Sequence, residues 1–169
     1  MDVLALTETP EILDQLAGLL VATVAAGGSV SFMDPLAPDV ARQFWAQSFA
    51  RVATGERVIF GALERGLVVA TLTLDLCPWP NQPHRAELAK MMTAPAWRGR
   101  GLARALLAAA EAEARRRQRW LLVLDTAAEG GAGPLYEKAG YRSCGRIPDF
   151  ALKPQGGLTD TIFYFKRLA

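Results

Sequence analysis

The stretch from His84 to Asp125 constrains the fold more than any other part of the chain. "HRAELAKMMT" reads as extended and is stopped by Pro95. "WRGRGLARALL" follows, and its glycine-rich turn opens a helix predicted over Arg100–Arg117. In that helix Leu102, Leu106, Ala110 and Ala114 recur at helical spacing, with Ala103 and Leu107 beside them. Glu111 with Arg115 and Glu113 with Arg117 are i,i+4 pairs in the favourable order. "RWLLVLD" is then a continuous apolar run of strand length, read as a buried strand. Strand, turn, long helix and strand in succession make a right-handed crossover between parallel strands.

The flanking segments fill in the remaining elements. "DVLALT" reads as a first strand, and Thr9 as the N-cap of a helix with Pro10 at its first position and Glu11 in its first turn. Ile12, Leu13, Leu16, Leu19, Leu20, Thr23 and Val24 recur at helical spacing until Gly27 and Gly28 end the helix. After the loop "GSVSFMDPLAP", a second helix carries Ala41, Phe44, Trp45 and Phe49 on one face and stops near Gly55. "RVIFGAL" and "LVVATLTLDL" flank "ERG" as a hairpin, with Val68, Ala70, Leu72, Leu74 and Leu76 predicted on one face. "PWPNQP" breaks the sheet. "GPLYEKAG" is a short helix, and "SCGRIPDFAL" and "DTIFYFKRL" are final strands around the turn "KPQGGLT". The order βααβββαβαββ predicts a single α/β domain over residues 1–169, one sheet with helices packed on it.

Composition narrows the class of partner. Apolar residues make up 51% and charged residues 21%, which describes a globular chain rather than a disordered one. A net charge of +2 does not describe a nucleic-acid binder. The basic run "RRRQR" at 115–119 sits at a predicted helix C-terminus, where cations complement the dipole. No apolar run reaches membrane-spanning length, and the N-terminal segment lacks a basic leader region. Cys77 and Cys144 lie far apart and read as buried hydrophobes of a reduced, cytoplasmic protein. His84 is the single histidine and is expected at the surface; no metal-ligand spacing occurs.

The glycine-rich turn carries the most chemistry. The first N–H groups of a helix lack internal partners and bear partial positive charge. Gly99 and Gly101 let a ligand approach that backbone, while Arg98, Arg100 and Arg104 add charge. The chemistry suits a pyrophosphate; the alternative is a plain tight turn with solvated arginines. The turn contains neither a Walker-type phosphate loop nor the three-glycine dinucleotide fingerprint.

"RGRGLA" resembles the acyl-CoA signature [QR]-x-x-G-x-[GA] of the Gcn5-related N-acetyltransferases (GNAT), and "LYEKAGY" resembles a later motif of that family. "AELAKMMTAPAW" is similar to its fourth strand, and the order of elements agrees over nearly the whole chain. "GGSVSFMDPL", "LDT" and "DTIFYFKRL" resemble the branch containing the tabtoxin resistance protein. The resemblance implies a mixed, mostly antiparallel sheet with splayed parallel central strands and about four flanking helices. It implies acetyl transfer from acetyl-CoA, without a metal, to the primary amine of a small molecule such as a toxin or antibiotic. Protein or peptide N-acetylation and a non-catalytic acyl-CoA-binding module are the alternatives, and homodimers are common in the family.

Carried onto this chain, the resemblance places the pyrophosphate at Arg98, Gly99, Arg100, Gly101, Leu102 and Ala103, with Arg104 as a further contact. Met91, Met92 and Thr93 would lie along the pantetheine arm, one of their amides polarising the thioester carbonyl. Tyr136 would serve as general acid to the departing thiolate. An attacking amine must also lose a proton, and Glu87 and Asp125 are the candidate acids to take it or to orient the amine. Glu87 can instead sit on a solvated strand face, and Asp125 can cap the turn after its strand. The chain has Glu129 where family members often carry Asn, and "EGGAG" is richer in glycine than the family pattern.

Overall fold

The computed structural model describes residues 2–169. Seven strands form one sheet: β1 (Asp2–Ala5), β2 (Arg57–Glu64), β3 (Leu67–Leu76), β4 (Arg85–Thr93), β5 (Leu121–Ala127), β6 (Arg142–Leu152) and β7 (Leu158–Arg167). Their spatial order is β1-β2-β3-β4-β5-β7-β6, and the β4–β5 pair is parallel while all other pairs are antiparallel. The helices are α1 (Pro10–Ala25), α2 (Pro38–Ala53), α3 (Leu102–Arg116) and α4 (Gly133–Lys138), and residues 95–97 make a 3-10 turn. This is the expected order of elements, with the parallel pair on either side of the long helix.

Local chemistry sets the helix ends. The Thr9 hydroxyl accepts from the Ile12 N–H at 3.2 Å, as the N-cap reading requires. Helix α3 begins two residues later than its periodicity suggests, because Gly101 is the N-cap and holds φ +78°, a region hostile to other residues. In α3 the Glu113 carboxylate accepts from Arg116 at 2.7 and 2.6 Å and from Arg117 at 2.6 Å. Arg119 donates to the Pro83 carbonyl and Arg115 to the Ala169 carbonyl. The run "RRRQR" is therefore largely occupied in fastening the helix end and its neighbours.

Those hydrogen bonds from Arg116 hold Glu113 down at about 2, against an ordinary value of 4.5. A depressed folded value means stabilisation that is complete above 4.5 and lost as pH falls towards 2. Urea midpoints measured through that window should fall, and Glu113→Gln should flatten that part of the profile. An unchanged profile would show that the exposed arginines contribute nothing measurable there.

Two cores lie on opposite faces of the sheet. Leu102, Leu106, Leu107, Ala110 and Ala114 of α3 pack on Phe60, Leu72, Leu74, Ala86, Leu88 and Leu122. Helices α1 and α2 pack on the other face, where Leu16, Leu20, Trp45 and Phe49 meet Ile59, Val68 and Met92. Burying each such leucine contributes about 1.5–3 kcal/mol.

Two irregularities shift side chains between these faces. Val68 was expected beside Ala70 and Leu72 but belongs to the α1–α2 core, because the β2–β3 register shifts between Ala62 and Leu63. In β4, Thr71 pairs with Met92 but Thr73 with Ala89, so β4 carries an extra residue. Leu88 consequently faces α3 and Met92 faces α1, although they lie four apart in one strand. Cys144 departs from its expected burial: β6 is an edge strand and leaves the thiol exposed, whereas Cys77 is buried. His84, expected at the surface, is partly covered by the Trp120 ring stacked 4.5 Å away.

Candidate active site

The parallel pairing of β4 with β5 lasts only three residues, from Arg85↔Leu121 to Glu87↔Val123. Beyond that point β4 stays with β3 as far as Thr93, and β5 stays with β7 as far as Ala127. The two central strands therefore part. The gap is a cleft of about 480 Å³ lined by Leu88–Thr93, Arg98, Asp125–Ala127 and Tyr136. Along this gap the β4 backbone has a ladder partner only on its β3 side among the described residues. A free strand edge of this kind can pair with an extended, amide-bearing chain.

The glycine turn comes directly after Arg98, which lines the cleft; residues 99–104 do not line it. Gly99 and Gly101 have φ of +74° and +78°, and a Cβ built on either would meet nothing within 4 Å. The turn thus leaves open space beside the first amides of α3. Leu102 is buried and pins the turn to the core, so only its backbone faces that space. Ala103 is half-buried and Arg104 exposed. Arg98 reaches back towards the Thr93 carbonyl at 3.4 Å, and the Arg100 guanidinium stacks 4.5 Å from the Trp97 ring centroid. The predicted coenzyme residues Met91, Met92, Thr93 and Arg98 line the cleft itself.

Tyr136 and Asp125 both line the cleft. The Tyr136 ring lies 5.9 Å from those of Tyr141 and Tyr164, a packing that aims it from α4. Burial, and then the Asp125 charge, push the Tyr136 phenol above its ordinary value of 10.0, so it is protonated at neutral pH. Asp125 Oδ2 accepts from the Thr161 hydroxyl at 2.7 Å, and that hydroxyl also lies 3.0 Å from the Thr126 carbonyl. Asp125 thus faces the cleft rather than capping the turn that follows its strand.

Glu87 stands elsewhere. It pairs across the ladder with Asp75 and faces an adjoining depression of about 410 Å³, lined also by Arg57, Arg85 and Trp79. Partial burial, then Asp75, raise its carboxyl above 4.5, with Arg85 opposing. Arg57, itself buried, is ion-paired with Asp75 and donates to Ser48 at 2.7 Å. Glu87 and Asp125 therefore occupy neighbouring hollows, not one.

Lys90 joins the two hollows and was invisible to sequence reasoning. It is the extra residue of β4, held at φ +52°, and lines both. Its ammonium donates to Ser31 at 2.9 Å and lies 5.7 Å over the Phe44 ring. Burial lowers its pKa from 10.5, as does Arg57. Thr161 was likewise missed, because nothing in "DTIFYFKRL" distinguishes a threonine that meets Asp125 from one that packs.

Two segments roof the cleft. Residues 27–31 between α1 and α2 form one side, and residues 150–153, the end of β6 and the residue after it, form the other. The Asp34 N–H donates to the Pro154 carbonyl at 2.9 Å, and Gln155 donates to the Val24 carbonyl at 3.1 Å. Lys153 closes onto Glu129 at 2.8 Å. The glycines of "EGGAG" have a steric reason: a Cβ on Gly131 would stand 2.0 Å from the Ala127 carbonyl oxygen. Glu129 lies at the cleft and is engaged by that lysine.

The acetyltransferase (GNAT) family matches residues 29–141, and the chain belongs to that family. The fold is similar to the ribosomal-protein-alanine N-acetyltransferase of Brucella melitensis at 24% identity and TM-score 0.81, covering 99% of this chain and 100% of that one. It is similar to an N-acetyltransferase of Staphylococcus aureus Mu50 at 22% identity and TM-score 0.83, covering all of both chains. An aminoglycoside 6′-N-acetyltransferase solved with coenzyme A matches at 16% identity and TM-score 0.80, over 100% of this chain and 98% of that one. Among the described residues no helix is long and apolar enough to cross a membrane.

Proposed function

We propose that this acetyltransferase moves an acetyl group from acetyl-CoA to the primary amine of a small molecule by direct attack in a ternary complex. The observation that carries the reading is one roofed cleft containing the free β4 edge, Tyr136, Asp125 and Arg98, with the open glycine turn directly following Arg98 in the chain. In this reading the amides of Gly99–Ala103 hold a pyrophosphate, with Arg98, Arg100 and Arg104 as counter-charges. The edge from Met91 to Thr93 pairs with the pantetheine arm, and one of its amides polarises the acyl carbonyl. Acetyl-CoA supplies an acyl group activated as a thioester. Asp125 takes the proton of the amine, and the Tyr136 hydroxyl donates to the sulfur as negative charge develops there.

The roof supports a small acceptor. The segments that carry residues 27–31 and 150–153 are tied beside the cleft by the Asp34–Pro154 backbone hydrogen bond and by the Gln155 side chain on the Val24 carbonyl, which narrows access for a polypeptide end. A toxin or antibiotic amine, the acceptor type of the resembled branch, fits this opening. Release of coenzyme thiol should be followed with acetyl-CoA and a panel of amino acids, polyamines, aminoglycosides and peptides with free N-termini. Turnover on small amines is expected. Turnover on peptides alone would sink the small-acceptor reading.

A further inference from the structure

Among the described residues, two cations and one anion of the cleft have no ionic partner within 4.0 Å: Lys90, Arg98 and Asp125. The cleft's Lys153 is paired with Glu129 at 2.8 Å, and Asp160 with Arg146 at 2.6 Å. In the adjoining depression Arg51 and Arg57 share Asp75, and Arg85 lies 4.0 Å from Glu87. Lys90 has no carboxylate within 4.0 Å among the described residues, only the Ser31 hydroxyl and the Phe44 ring. Asp125 has no cation within that range, only Thr161. Arg98 is the other unpaired charge of the cleft, and it lies by Thr93 at the end of the glycine turn.

The backbone places Lys90 and Asp125 close to the parting of the strands. Glu87 is opposite Val123 in the last parallel pair, so Ala89 and Asp125 follow at matching positions across the gap. Lys90 comes next, and the extra residue there lifts it out of the normal alternation of β4. Asp75, Asp125 and Glu87 act on the half-buried Lys90 ammonium only from beyond 4.0 Å, so its burial is incompletely compensated and a ligand oxyanion in direct contact reduces that cost.

We propose that the acceptor is a zwitterion, a primary amine bearing a carboxylate beside it, with the ammonium drawn to Asp125 and the carboxylate bound by Lys90. The inference rests on the small-acceptor reading and specifies its chemistry. Lys90 is then the residue that selects among amines, and Ser31 and Phe44 hold it in place.

The test uses matched triplets: proteinogenic α-amino acids, their α-carboxamides, and the corresponding decarboxylated amines, each assayed with acetyl-CoA. Among the triplets turned over, the acid should exceed both counterparts in kcat/KM by about tenfold to a hundredfold, the worth of a hydrogen bond to a charged group. Lys90→Met should erase that preference through KM, and Lys90→Arg should keep most of it. The preference is a ratio within one variant, so a general loss of folding or activity cancels from it. Equal turnover of acid, amide and amine overturns the inference and leaves the small-acceptor reading standing. So does a preference for the acid that survives in Lys90→Met. Turnover of peptides alone overturns both.

Discussion

Tyr136→Phe is expected to lower kcat by about a hundredfold, while acetyl-CoA affinity and the thermal midpoint stay close to those of the parent. The magnitude is that of removing one hydrogen-bond donor aimed at developing negative charge. The ring stays, and with it the packing against Tyr141 and Tyr164. The phenol is held above its ordinary value by burial and by Asp125. Transfer of its proton to a thiolate, whose conjugate acid lies near 8.5 in cysteine, is therefore uphill. Tyr136 should act by donating a strong hydrogen bond to the sulfur, a narrower role than the full general acid that the motif implies. Single-turnover rates and calorimetry with acetyl-CoA measure the two effects separately. Unchanged turnover would remove Tyr136 from the chemistry and favour a module that only binds the coenzyme.

Asp125→Asn should cost about 10²–10⁴-fold in kcat/KM, the span of general acid–base catalysis. Glu87→Gln should cost much less. Both residues resemble the acids of the family motif, but only Asp125 lines the cleft where the strands part. The Thr161 hydroxyl has one proton and two acceptors in reach, Asp125 Oδ2 and the Thr126 carbonyl. It can donate to the carboxylate before proton transfer. Once Asp125 is protonated, it can accept from the acid and donate to the carbonyl. The site thus tolerates both protonation states of Asp125. A larger loss in Glu87→Gln would reassign the base to the neighbouring hollow and undo this account.

The limits of sequence reading follow from particular residues. Helix α3 was legible because Leu106, Ala110 and Ala114 repeat with its own period, and its i,i+4 pairs form as written. The glycine turn was legible because backbone conformation there is set within a few residues, as Gly99 and Gly101 show. Val68 lies on the face opposite to the expected one because an inserted residue separates it from Ala70, and a ladder is a property of two strands. Lys90 at φ +52° belongs to the same class, since a lone lysine in "AELAKMM" gives no sign of a bulge.

By itself the sequence determined the order of elements, the parallel crossover and the turn that opens α3. These depend on periodicity, capping and glycine, which act over neighbouring residues. The tertiary structure alone decided that Asp125 enters the cleft and Glu87 does not. It also decided that Lys90 bridges two hollows and that the segments at 27–31 and 150–153 line one of them. Those outcomes depend on where β4 leaves β5 and where β4 gains a residue against β3. Both are long-range events: partners distant in the chain fix which side of the sheet each side chain finally meets.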